Sequence, residues 1–220
     1  MSIDPWEEAR SSALVAVDRV AETHFSVRPI LMRALENYTL TPEGRALLGV
    51  SYANLREKWQ AEFADRFFDM GTLQRLATAV EQGLREALRL VAGAQGLERA
   101  YAKGQGIFQQ LVKPQSLLAI FQLECDYDLS TNPEWRRMQI LMAHRHLYAH
   151  RSGLIDQKYV EQIQLLTGED LSPTLMRLGW PTELTYWFRP LGEMPSFIED
   201  SRRFFRILGS EHTGDEGAGA

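Results

Sequence analysis

Apolar side chains recur at three- and four-residue intervals along most of this chain, and nowhere does the strict apolar–polar alternation of a strand persist. From Pro5 to about Phe25, the positions Trp6, Ala9, Ala13, Val17, Val20, Ala21 and His24 mark one face of an amphipathic helix, with Asp4 placed to cap it and Pro5 at its first position. Thr41-Pro42-Glu43 opens a second helix toward Met70. It carries Leu47, Leu48, Tyr52, Leu55, Trp59, Phe63 and Phe67, and Gly44 and Gly49 weaken its beginning. Gly71 reads as its end. A third helix over Thr72 to Val91 places Leu73, Leu76, Val80, Leu84, Ala87 and Leu88 on one side, and the run Ala92 to Gly96 breaks the pattern. Leu97 to Val112 is a shorter helix compromised by Gly104 and Gly106, and another spans Pro114 to about Glu124.

Asp126 to Asn132 reads as a polar loop. Asn132 then offers an N-cap, Pro133 a first helical residue and Glu134 a negative charge at the positive helix end. The helix that follows runs to Arg151 and stops at Gly153, where a left-handed cap is expected. Ile140, Leu141 and Leu147 fill much of its circumference and leave a narrow polar strip at Arg137, His144, Tyr148 and Arg151, so it reads as a central helix. Beyond it, Asp156 caps a helix to about Leu166, Thr167 to Met194 is turn-rich, and Ser196 to Leu208 is a final helix. The small, polar, acidic run from Ser210 to Ala220 reads as a disordered tail. The expected architecture is all-α: a helical extension over residues 1–70, a helical domain over 71–209 and a tail over 210–220, with no internal repeat.

A chain of 220 residues with 45 % hydrophobic content has ample material for a core. Acidic residues follow Met1 where a signal peptide carries positive ones, and no apolar run approaches the roughly 18 residues of a membrane span, so a cytoplasmic protein with no membrane partner is expected. The single cysteine, Cys125, excludes an intrachain disulfide framework and a zinc site built on cysteines. Its neighbours Glu124, Asp126 and Asp128 disfavour the thiolate. A net charge of −5 argues against a generally basic nucleic-acid coat. Arg136, Arg137, Arg145 and Arg151 nevertheless gather with His144, His146 and His150 in one cationic region.

On a helix, Arg145, His146 and His150 share an arc with Trp135, Met138, Met142 and Ala149, so titratable groups continue an apolar stripe. Such groups need a partner or water, because an unpaired buried charge costs several kcal/mol. The stripe is therefore expected to open there into a cleft or an interface.

The run Arg145-His146-Leu147-Tyr148-Ala149-His150 resembles the Arg-x4-His motif of the HEPN superfamily (higher eukaryotes and prokaryotes nucleotide-binding domain), including the polar residue directly after the arginine. Trp135 one turn into the helix, Gly153, Asp156, Tyr159 and a later C-terminal helix add to the likeness. It is clear from about Asn132 to Tyr159, extends over Thr72 to Leu208, and does not reach the N-terminal helices. The resemblance implies an all-α bundle, frequently a homodimer whose two motifs meet in a shared cleft. It also implies a metal-independent endoribonuclease of bacterial toxin–antitoxin or antiphage systems, acting on RNA with no cofactor, under an antitoxin or regulatory subunit. In that setting His150 is the acid–base group, Arg145 stabilises the phosphate and the transition state, and His146 orients His150 or the substrate; the products are 2′,3′-cyclic phosphate and 5′-hydroxyl ends. Histidine titrates near neutrality and arginine offers a fixed, bidentate charge, so the residue types suit that chemistry. The variant with a tyrosine two residues after the histidine is absent, since Ser152 stands there.

Four other readings stand beside this one. A non-catalytic module of the same fold would bind nucleotide, RNA or a protein partner. Arg145 and His150 would also simply suit a helix C-terminus, at roughly 0.3–1 kcal/mol each. His146 and His150 at i and i+4 match a zinc pair, but no third ligand is evident in the motif and Arg145 opposes a cation. The acidic run Glu124 to Asp128 reads as a solvated loop. Two further segments, Arg202-Arg203-Phe204-Phe205-Arg206 and the aromatic stretch Trp180 to Pro190, fit either packing or contact with a partner.

Overall fold

The sequence enters its central helix through Asn132, whose carboxamide does two things at once. Its Oδ1 accepts the Glu134 N–H at 3.0 Å, and its Nδ2 donates to the Phe204 carbonyl at 3.0 Å. This tethers the entry to the last helix and tightens the first turn, so the regular helix begins at Trp135, two residues later than expected from Pro133. In this computed structural model the described residues are 4–36, 42–43, 46, 50–102, 114–183 and 185–210. The glycines at 104 and 106, the side chains placed on the second helix from Leu47 to Phe63, and the tail beyond Ser210 lie outside the described residues or side chains.

Among the described residues the fold is all-helical. Its α-helices are α1 (Pro5–Glu36), α2 (Val50–Val91), α3 (Gly93–Ala102), α4 (Pro114–Cys125), α5 (Trp135–Arg151), α6 (Gln157–Thr167), α7 (Ser172–Arg177) and α8 (Met194–Ile207). Short 3-10 turns at Leu129–Thr131 and Arg189–Glu193 and one isolated bridge between Leu154 and Tyr186 complete it. No helix of the described residues is long and apolar enough to cross a membrane.

Two long helices run past the ends that the sequence reading gave them. Helix α1 continues past Phe25 and through Pro29 to Glu36. Arg28 anchors this second half by gripping both carboxylate oxygens of Asp69 on α2, at 3.0 and 3.2 Å. Likewise α2 passes through Gly71 without a break, so the expected boundary between residues 70 and 71 falls inside one helix. A helical glycine costs about 1 kcal/mol, and full burial of Leu73, Leu76 and Val80 just beyond outweighs it. Phe67, placed on the apolar face by its spacing, is 65 % exposed.

Helices α1, α2 and α8 come together at Gly83, where an added Cβ would lie 2.5 Å from the Phe205 ring and 2.7 Å from Ala13. The buried aromatic residues Phe121, Phe197, Phe204 and Phe205 share this core with leucines of α2 and α5. Across α5, Trp135, Met138, Leu141, Met142 and Leu147 are buried together with Ile140, Ala143, His144 and Tyr148. At His144 and Tyr148 the expected polar strip is an interior seam. These two side chains go inside because each finds a partner: His144 Nδ1 meets the Tyr159 hydroxyl at 2.9 Å, and the Tyr148 hydroxyl donates to the Trp187 carbonyl at 2.8 Å. Arg137, at the start of the same seam, pairs with Asp200 at 2.6 Å and lies 4.4 Å from the centroid of Phe197.

Candidate functional site

The motif occupies the last turn and a half of α5. That helix ends because Ser152 adopts a left-handed conformation, φ 51°, and Gly153 follows with φ 89°. The Ser152 and Gly153 N–H groups both turn back to the Leu147 carbonyl, satisfying a terminal acceptor that the helix leaves open. Arg151 reaches Asp156 at 3.1 Å, and Asp156 caps α6 by accepting the Tyr159 N–H at 2.8 Å, as its spacing suggested. The chain reversal after the motif is thus fixed from both sides.

Within this frame the three motif residues diverge. His150 is exposed and His146 is half-buried, and their rings lie 4.8 Å apart with planes tilted by 49°. Burial holds the His146 imidazole below its ordinary range, the neighbouring charge of His150 pushes it further down, and Lys158 and Arg151 add to the effect against Asp156. His146 is therefore neutral at neutral pH. Arg145 is half-buried on the adjoining side, within electrostatic reach of Glu81 on α2. Burial raises the Glu81 carboxyl while Arg145 and Arg85 oppose that shift. The structure brings His146 and His150 together, and it places Arg145 within electrostatic reach of a carboxylate that nothing in the sequence spacing signalled. The chemistry available is proton transfer at an exposed imidazole beside a neutral one, with cations nearby.

The other candidates resolve one by one. His146 and His150 are joined by no third His, Cys, Asp or Glu in any group of three among the described residues. Cys125 is buried, and burial followed by the charge of Glu124 pushes its thiol up to about 12, so it is not a nucleophile at neutral pH. Phe204 and Phe205 belong to the core, while Arg202 pairs with Asp18, Arg203 with Glu134 and Asp200, and Arg206 with Glu199. That segment is packing with a paired outer face.

A cavity of about 240 Å³ opens on another side of α5, lined by Arg137, His144, Tyr159, Trp187 and Glu193 among others, and none of the three motif residues lines it. Burial, aided by Arg137, drives His144 down to about 3, so it stays neutral and serves the fold through Tyr159. No family model, curated protein or solved structure matches this chain. The functional reading therefore stands on the residues themselves.

Proposed function

We propose that this chain is a metal-independent endoribonuclease of the HEPN type, acting as a homodimer in a bacterial toxin–antitoxin or antiphage system. The observation that carries the proposal is the His146–His150 ring pair at the exposed end of the central helix. In the reaction the 2′-oxygen attacks phosphorus as its proton passes to a neutral imidazole. The bond to the 5′-oxygen breaks, and that leaving oxygen takes a proton from an imidazolium. His150, exposed, is the acid–base group; His146, neutral and in contact with it, orients it; a second copy supplies the second imidazole. Arg145 contributes its charge to the phosphate when the substrate draws it away from Glu81.

That last requirement supports a second reading, a non-catalytic module of the same type that binds nucleotide, RNA or a protein partner. Under it, Arg145 serves the fold through its electrostatic interaction with Glu81 on α2, and the histidines only face a partner. Expression of the wild type, Arg145→Ala and His150→Ala in bacteria separates the two. The nuclease reading expects growth arrest by the wild type and its loss in both variants at equal protein level; equal effects of all three favour the binding module.

A further inference from the structure

The aromatic segment after α7 alternates like a strand. Thr185 is buried, Tyr186 exposed and Trp187 buried, and Phe188 is half-buried. Backbone bonds hold it against the chain just after the motif: Ile155 N–H to the Thr185 carbonyl at 3.0 Å, Trp187 N–H to the Gly153 carbonyl at 2.9 Å. Trp187 is thereby directed into the core, and the neighbouring residues Tyr186 and Phe188 form a separate pair. Their rings are parallel within 3° at a centroid separation of 6.2 Å. The Arg66 guanidinium lies 4.6 Å from the Phe188 ring centroid, while Tyr186 remains 52 % exposed and its hydroxyl makes no hydrogen bond among the described residues.

An exposed, backbone-clamped aromatic ring is not needed to seal this end of the bundle. Phe188 already packs there, its ring 3.5 Å from where a Gly153 Cβ would stand. What Tyr186 adds is an exposed ring on a segment paired through backbone with Gly153 and Leu154, three and four residues along the chain from His150. Arg66 lies at Phe188, and Arg151 and Lys158 act on His146 at the adjoining motif, with Asp156, which pairs with Arg151, and Glu183 as the acidic neighbours in the two segments. Aromatic faces among cations are the means by which proteins hold unpaired bases of single-stranded nucleic acid, because every base has a π-face and every nucleotide a phosphate.

We propose that Tyr186, backed by Phe188 and Arg66, is a stacking platform for an unpaired base, and that the substrate is single-stranded RNA. The inference rests on the ribonuclease reading for the substrate's identity, and its test is independent of cleavage. The probe is a short single-stranded oligonucleotide with 2′-fluoro sugars, which cannot be cut, carrying 2-aminopurine, whose fluorescence is quenched on stacking. It is titrated into the full chain alone and annealed to its complement, at fixed salt, with wild type, Tyr186→Ala and Tyr186→Phe of equal thermal midpoint. We expect quenching and binding of the single strand by wild type and Tyr186→Phe, about tenfold weaker binding without quenching by Tyr186→Ala, and weaker binding of the duplex by all three. Binding by Tyr186→Ala equal to wild type, binding of the duplex as tight as of the single strand, or no binding at all overturns the platform. Quenched binding by a protein that cuts no ribose RNA keeps the platform and overturns the nuclease reading.

Discussion

His146 and His150 stand ring to ring, 4.8 Å between centroids, at the end of a helix that is otherwise mostly buried. Charge on one ring disfavours charge on the other, and the half-buried His146 carries the penalty. By proton NMR of the imidazole Cε1–H, His146 is expected to titrate below the ordinary histidine value of about 6.5, and His150→Ala is expected to move its midpoint upward. An unchanged His146 midpoint in the variant would show that the rings do not interact in solution.

A second pH effect comes from His144. Its folded value of about 3 lies below the ordinary value that the unfolded chain takes, so the unfolded state binds a proton first. Its contribution to stability is complete above pH 6.5 and is lost progressively as pH falls toward 3, at a rate approaching about 1.4 kcal/mol per pH unit. Urea unfolding at pH 5 and pH 7 is expected to show a smaller pH difference in His144→Gln than in the wild type. An identical difference would mean that His144 is accessible and titrates normally.

Gly83 tests the packing of the three helices that support the site. A Cβ at 2.5 Å from the Phe205 ring forces movement, which costs about 1–3 kcal/mol in a packed core, while alanine's better helix propensity returns up to about 1. Gly83→Ala is expected to lower the urea midpoint by the equivalent of about 1–2 kcal/mol. An increase in stability would indicate that α1 and α8 sit further from α2.

The left-handed turn that ends the motif helix is a testable strain. Ser152 is exposed, and its side chain forms no hydrogen bond among the described residues, so Ser152→Gly removes only the penalty of its φ of 51°. We expect a gain of roughly 0.5–1 kcal/mol, because the relief of about 1–2 is partly offset by the freer unfolded chain. Loss of stability would contradict the turn.

The helical periodicity was legible because burial on one helix face leaves a three-and-four spacing that no local event disguises: Leu73, Leu76, Val80 and Leu84 are where the spacing placed them. Gly71 misled because its local cost, about 1 kcal/mol, is smaller than the burial that carries α2 through it. The motif's place at the end of α5 was equally legible, since Asp156 and Gly153 announce the turn. What was hidden was long range. Glu81 is 64 positions from Arg145, and nothing at either position signals the other. Tyr186 and Trp187 look alike in the sequence, and only the backbone bonds to Gly153 and Ile155 decide which ring faces inward.

The most direct test of the account is incubation of the purified chain with total cellular RNA in EDTA, beside His150→Ala, with the cut ends identified. The account predicts cleavage by the wild type that leaves 2′,3′-cyclic phosphate and 5′-hydroxyl ends, reduced about 100-fold or more in the variant. Cleavage by both proteins at equal rates, or by neither while both are folded and dimeric, would contradict it.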